Sequence, residues 1–260
     1  MPLTFYTFSS PPRFYALTGI LVPLCWLVAA GFAAAGLYMG FFVAPTDATQ
    51  GEVYRIIFIH VPAAWMSMLL YLVMAFWAAV GWAFRARLAS MVARAIAPTG
   101  AIFTFLALWT GALWGRPTWG TYWVWDARLT SELILLFLYL GYIALTEAID
   151  DTRRSDAAGA LLAVVGAVNV PIIYFSVKWW NTLHQGASVS LTAAPKMATT
   201  MLTAMLLMTV ACWAYSFAVV FMRTRAIILE RERDTQWVRE LAAAPGGASV
   251  PGSWKEKVSR

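Results

Sequence analysis

Two histidines, His60 and His184, are the only imidazoles in a chain of 260 residues that carries 14 Trp. His60 stands in FIHVPAAW and His184 in KWWNTLHQGASVS. Between them runs WGRPTWGTYWVWDARLT, from Trp114 to Thr130, which places Trp114, Trp119, Trp123 and Trp125 within twelve residues, beside Tyr122. Indole rings supply large flat apolar area with one polar N–H handle, which suits a planar aromatic ligand. Imidazole is a common axial ligand of haem iron, and two imidazoles on one face can bracket a single iron. Blander readings stand beside these. Trp is enriched wherever a chain meets a membrane interface, and a lone His is more often a structural residue than a ligand.

Haem carries two carboxylates, and the planar fork of Arg suits carboxylates. Arg55 lies five residues before His60, and Arg128 directly follows the Trp segment. Either they meet the propionates, or they reach lipid headgroups or pair with Glu52 and Asp126. Arg116 and Lys178 are weaker candidates. Asp126 either orients a ring N–H or pairs with Arg128. Glu132 falls one turn inside an apolar span, where an acid is a functional-site hypothesis by default, and its role stays open.

The elements that position these residues follow from composition. The chain is 61% hydrophobic and 12% charged, with a mean hydropathy of +0.67, against about 25% charge in ordinary soluble domains. It reads as an all-α integral membrane protein. A bilayer core about 30 Å thick needs roughly 20 apolar residues per helix. Six runs qualify: Phe14 to Val43, Ile56 to Phe84, Ile96 to Leu113, Leu129 to Ile149, Ala157 to Val177 and Met197 to Met222. Residues 1–222 form the expected six-helix membrane domain, and residues 223–260 a cytoplasmic helical extension with a flexible tail. Basic residues set the orientation. Arg13, Arg85, Arg87, Arg94, Arg153, Arg154 and the eight basic residues from Arg223 onward fall on one side; Arg55, Arg116, Arg128, Lys178 and Lys196 fall on the other. Both termini are therefore expected in the cytoplasm, with the Trp segment, after the third span, facing outward. This asymmetry accounts for the net charge of +6 without a nucleic-acid partner. The first span reads as a retained anchor, and Cys25 and Cys212 as packing residues inside spans.

The strings WGTYWVWD with the following ARLTSELIL, HVPAAW, and NVPIIYFSVKWWNTLHQ resemble the haem-handling family of bacterial cytochrome c maturation, part of a superfamily defined by its Trp-rich loop. The likeness covers nearly the whole six-span region. It implies a haem platform at Trp114, Trp119, Trp123, Trp125 and Asp126, and axial ligation by His60 and His184. It also implies haem b as a transient, substrate-like group and a place in the bacterial inner membrane with the haem site facing the periplasm. The implied partners are the periplasmic haem chaperone CcmE, the ABC-transporter pair CcmA and CcmB, the small membrane subunit CcmD and membrane lipid. Haem delivery to the chaperone is the implied role, without enzymatic activity of its own beyond promoting, as an open alternative, covalent attachment of haem to that chaperone.

Longer haem lyases of the same superfamily add two further His within their spans, and this chain has no third His. The reading therefore moves toward haem handling and away from ligation to an apocytochrome. There is no G-x-x-x-x-G-K-[ST] phosphate loop and no C-x-x-C-H haem-attachment motif, so nucleotide hydrolysis belongs to a partner and the chain is not itself a c-type cytochrome. The alternative function is a haem-translocating transporter subunit. A quinone-linked oxidoreductase or a purely structural subunit stands further off. The G-x-x-x-G strings Gly36 to Gly40 and Gly111 to Gly115 pack either this chain's own helices or a partner's, the former being favoured.

Overall fold

Long apolar runs leave the backbone no partner in lipid except itself, so they form helices. The computed structural model describes residues 10–184, 189, 194–195 and 197–243, and among these it is nearly all helical. The helices are α1 (Pro11–Tyr38), α2 (Ile57–Phe84), α3 (Arg87–Trp119), α4 (Ala127–Ala148), α5 (Thr152–Gly166), α6 (Asn169–Trp179), α7 (Thr199–Arg231) and α8 (Gln236–Ala243). Among the described residues, six helical segments are long and apolar enough to cross a membrane, with α5 and α6 together forming the fifth. Lys196 and the tail 244–260, expected outside and in the cytoplasm respectively, lie outside the described residues.

The centre of the bundle is the antiparallel pair α2 and α3, against which α4, α5 and α7 pack, while α1 leans mainly on α7. The buried core runs through Tyr71, Met74, Ala93, Ile96, Ala97, Leu135, Tyr139, Ala160, Ala163 and Ile173. Small residues on α2 and α3 let the two backbones approach closely, the usual solution where lipid removes the hydrophobic drive between helices. Only Arg85 and Ala86 link them, and Arg85 takes a left-handed conformation at φ 53°.

Two boundaries differ from the hydropathy reading. The third span starts at Arg87 and ends at Trp119, not at Ile96 and Leu113. At 1.5 Å per residue its 33 residues extend about 50 Å, well beyond a core of about 30 Å. The stretch from Trp114 to Trp119 is therefore a helical extension, and only the residues after it form a loop. Gly115 is buried within α3. Gly120 ends the helix at φ 78°, the left-handed cap that a residue without Cβ adopts at no steric cost.

The fifth span is also broken. The Ala167 N–H turns back to the carbonyls of Ala163 and Val164, at 3.1 and 3.3 Å, before α6 begins at Asn169. The Asn169 side chain donates to the Ser131 carbonyl at 2.8 Å, tying the break to α4. Both G-x-x-x-G strings face this chain's own residues. A Cβ on Gly36 would meet Met208, on Gly40 Phe58, on Gly111 His60 and on Gly115 Trp119. Cys25 and Cys212 are free thiols on α1 and α7.

Candidate functional site

His60 lies in the first turn of α2, Trp114 and Trp119 on the extension of α3, Trp123 on the following loop, Arg128 and Glu132 at the start of α4, and His184 on the segment after α6. The fold brings all seven to the wall of one cavity. Apolar lining comes from Ala64, Ala107, Leu108, Ala112 and Leu129.

The ring centres of His60 and His184 are 6.5 Å apart, with planes inclined by 36°. With metal–nitrogen bonds of about 2 Å and about 1 Å from each donor nitrogen to its ring centre, an ion held between two imidazoles needs centres about 6 Å apart. The observed spacing suits that. Two imidazoles complete the coordination of an iron whose equatorial positions a macrocycle already fills. Trp114 packs edge-on to His60 (5.6 Å, 80°), and Trp119 lies beside His184 (6.4 Å).

The Trp residues divide into two groups. Trp114, Trp119 and Trp123 line the cavity. Trp125 is 77% exposed and sits outside them, edge-on to Trp123 at 5.4 Å. Trp109, stacked on Phe105, and Trp179, stacked on Phe175, are exposed on helix surfaces and are not part of the lining. A belt role suits these two.

The two candidate arginines also part company. Arg55 has Nε 2.5 Å from Glu52 and donates to the Gly40 and Ala44 carbonyls at 2.6 and 3.0 Å, leaving its side chain 16% exposed. It therefore clamps the turn after α1, including the π-helical residues Met39–Val43, to the short 3₁₀ segment Glu52–Ile56 that leads into α2. Arg128 reaches across to α6, donating to the Ile173 carbonyl at 2.7 Å, and is the guanidinium that lines the cavity. Arg116 donates to the Gly120 carbonyl and lies over Tyr122.

Among the described residues no ion pair joins Asp126 to Arg128. Asp126 caps α4, accepting the Leu129 N–H at 2.8 Å, and its other oxygen accepts the Thr182 hydroxyl. Thr182 Oγ1 in turn accepts the His184 N–H at 3.1 Å. One carboxylate thus starts α4 and moors the segment that carries His184. Asp126→Ala is expected to cost about 1 kcal/mol in detergent thermal unfolding, as loss of an N-cap does. Asp126→Asn, which still caps, should stay near the parent.

Three contributors, Gln50, Thr110 and Ser67, went unmarked in the sequence. Gln50 accepts the Trp114 indole N–H at 2.6 Å. Thr110 Oγ1 lies 3.0 Å from His60 Nδ1. Glu132, 6% exposed at the cavity wall, accepts from Ser67 at 2.7 Å, and the Ser67 carbonyl accepts the Tyr139 hydroxyl at 2.8 Å. Intramembrane acidity flagged Glu132 but not its partner. Isolated Gln and Thr residues carry no periodic signal.

Residues 4–239 match the family described as "Heme exporter protein C". The chain belongs to that family. Among its similar relatives, the "Heme exporter protein C" of Escherichia coli strain K12 is 44% identical over 247 residues, covering 94% of this chain and 98% of its own. That of Bradyrhizobium diazoefficiens is 46% identical over 241 residues, covering 92% and 89%. A "Putative cytochrome c biosynthesis ccmC-like mitochondrial protein" of Marchantia polymorpha is 47% identical over 171 residues, covering 66% of this chain and 71% of its own. In this member of the heme exporter protein C family, the match takes in all six candidate spans and every cavity residue named above.

Proposed function

We propose that the protein binds haem at the outer face of a bacterial inner membrane and hands it to a periplasmic haem chaperone during maturation of c-type cytochromes. Membership of the heme exporter protein C family supports this reading, and one observation carries it: two imidazoles with ring centres 6.5 Å apart on an indole-lined cavity. Haem b is the substrate and is held transiently. Its iron takes axial bonds from His60 and His184, its faces lie against Trp114, Trp119 and Trp123, and Arg128 supplies the positive charge nearest to a propionate. Trp125, exposed and edge-on to Trp123, meets both the exposed porphyrin edge and an approaching chaperone. The ABC-transporter pair CcmA and CcmB and the subunit CcmD complete the assembly, and nucleotide hydrolysis resides there. The protein supplies axial ligation, aromatic contact and charge, and makes no covalent bond of its own.

Purified protein should show the absorption spectrum of six-coordinate haem and should pass that haem to added chaperone CcmE. In sealed vesicles of either orientation the protein alone should bind haem without accumulating it in the lumen. Luminal accumulation replaces this reading with that of a haem-translocating subunit.

A further inference from the structure

The hydroxyl of Thr110 has one proton, and its position on α3 offers that proton two carbonyls of the helix. Thr110 Oγ1 is 2.7 Å from the Leu106 carbonyl and 3.3 Å from that of Ala107, the bonds a helical Thr makes to the preceding turn. The same oxygen lies 3.0 Å from His60 Nδ1. A hydroxyl turned to its own helix offers His60 a lone pair, which pairs with a hydrogen on Nδ1. In a neutral imidazole this leaves Nε2 unprotonated. The surroundings hold the ring in that pose. Gly111 brings α3 so close that a Cβ there would sit 3.1 Å from His60 Cε1. Trp114 closes a further side edge-on, and its own N–H is taken by Gln50. Residues 110, 111 and 114 of one helix thus form a cradle for one imidazole.

We propose that Thr110 is a positioning residue that fixes His60 in the Nδ1–H tautomer and presents Nε2 as the donor to the iron of the substrate haem. The proposal rests on the reading of His60 as an axial ligand. Its chemistry is that of an outer hydrogen bond to a metal-bound imidazole: accepting from Nδ1–H makes the ring more basic, strengthens its bond to iron and favours the ferric state. Thr110 is buried, and the hydroxyl is the part of the side chain that makes these contacts. Removing it while keeping the shape separates the hydrogen bond from packing.

The first measurement needs no haem. In full-length His184→Ala protein labelled with ¹⁵N in histidine, His60 is the only imidazole left, and its two ring nitrogens report the tautomer directly. A protonated Nδ1 and an unprotonated Nε2 are expected. A protonated Nε2 overturns the proposal and leaves the axial-ligand reading intact. The second measurement uses haem-loaded protein that retains both histidines. Thr110→Val should lose haem about tenfold more readily, as removal of such outer bonds does, and should shift the reduction potential upward. Thr110→Ser, which restores the hydroxyl, should return both towards the parent. A Thr110→Val protein with unchanged haem retention and potential overturns the proposal. A haem spectrum insensitive to His60→Ala overturns the axial-ligand reading instead, whatever the tautomer.

Discussion

In the His60→Ala and His184→Ala variants, the spectrum of six-coordinate haem is expected to disappear, and with it transfer of haem to the chaperone. Each change removes one of two donors whose ring centres stand 6.5 Å apart, so the remaining imidazole holds the iron from one side only. Loss of an inner ligand should exceed the 10- to 100-fold typical of outer-shell changes, so haem retention should fall by about 100-fold or more, equivalent to about 3 kcal/mol. Absorption and resonance Raman spectra check the coordination number, and a gel assay of chaperone-bound haem checks delivery. Added imidazole should partly restore the six-coordinate spectrum, because the cavity vacated by either side chain admits it. If both variants keep the parent spectrum and delivery, the two histidines are structural residues and iron is held elsewhere.

The second large effect concerns the scaffold. Gly100 on α3 lies against the ring of Tyr139, so that a Cβ there would overlap the ring carbons and hydroxyl of a side chain that is completely buried. Tyr139 cannot swing away freely. Its hydroxyl donates to the Ser67 carbonyl at 2.8 Å, and its ring is edge-on to Tyr71 at 4.9 Å. Helix propensity alone favours Ala over Gly by about 1 kcal/mol. Overpacking opposes it by about 1–3 kcal/mol, and loss of a buried hydrogen bond adds about 1–3 kcal/mol. Packing wins, and Gly100→Ala should lower stability by about 2 kcal/mol or more, which corresponds to about 4–8 °C in apparent Tm. Gly31→Ala is the matched control, since a Cβ there meets nothing within 4 Å. It should be neutral or slightly stabilising, as propensity alone dictates. A Gly100→Ala protein as stable as Gly31→Ala refutes the packing argument.

The spans were legible because hydropathy is a bulk property, and a run such as Leu129 to Ile149 averages over its exceptions. Their ends were not. α3 gains Arg87 to Ala95 and Trp114 to Trp119 over the apolar run, because a helix continues past the membrane core wherever its backbone bonds can, whatever the polarity of its side chains. The break near Ala167 was hidden for the opposite reason, since LAVVGAVNV stays apolar through a turn that hydropathy does not register. His60, His184 and the cavity-lining Trp residues were visible by residue type, which is where scarcity and clustering carry information. The division of labour between the two arginines was not. The groups that engage Arg55 include the carbonyls of Gly40 and Ala44, and those that engage Arg128 the carbonyl of Ile173. Carbonyls have no residue type to read.

The cavity also imposes an order on its own making. Its walls are drawn from α2, α3 and α4 and from the segment that follows α6, so a chain emerging N-terminus first supplies His60 long before His184. Until the fifth span has crossed and residue 184 has cleared the membrane, a nascent chain has cradle, indoles and arginine but one imidazole. On the proposed axial role, capture of iron from both sides is withheld from partly inserted chains until residue 184 of 260 has been synthesised.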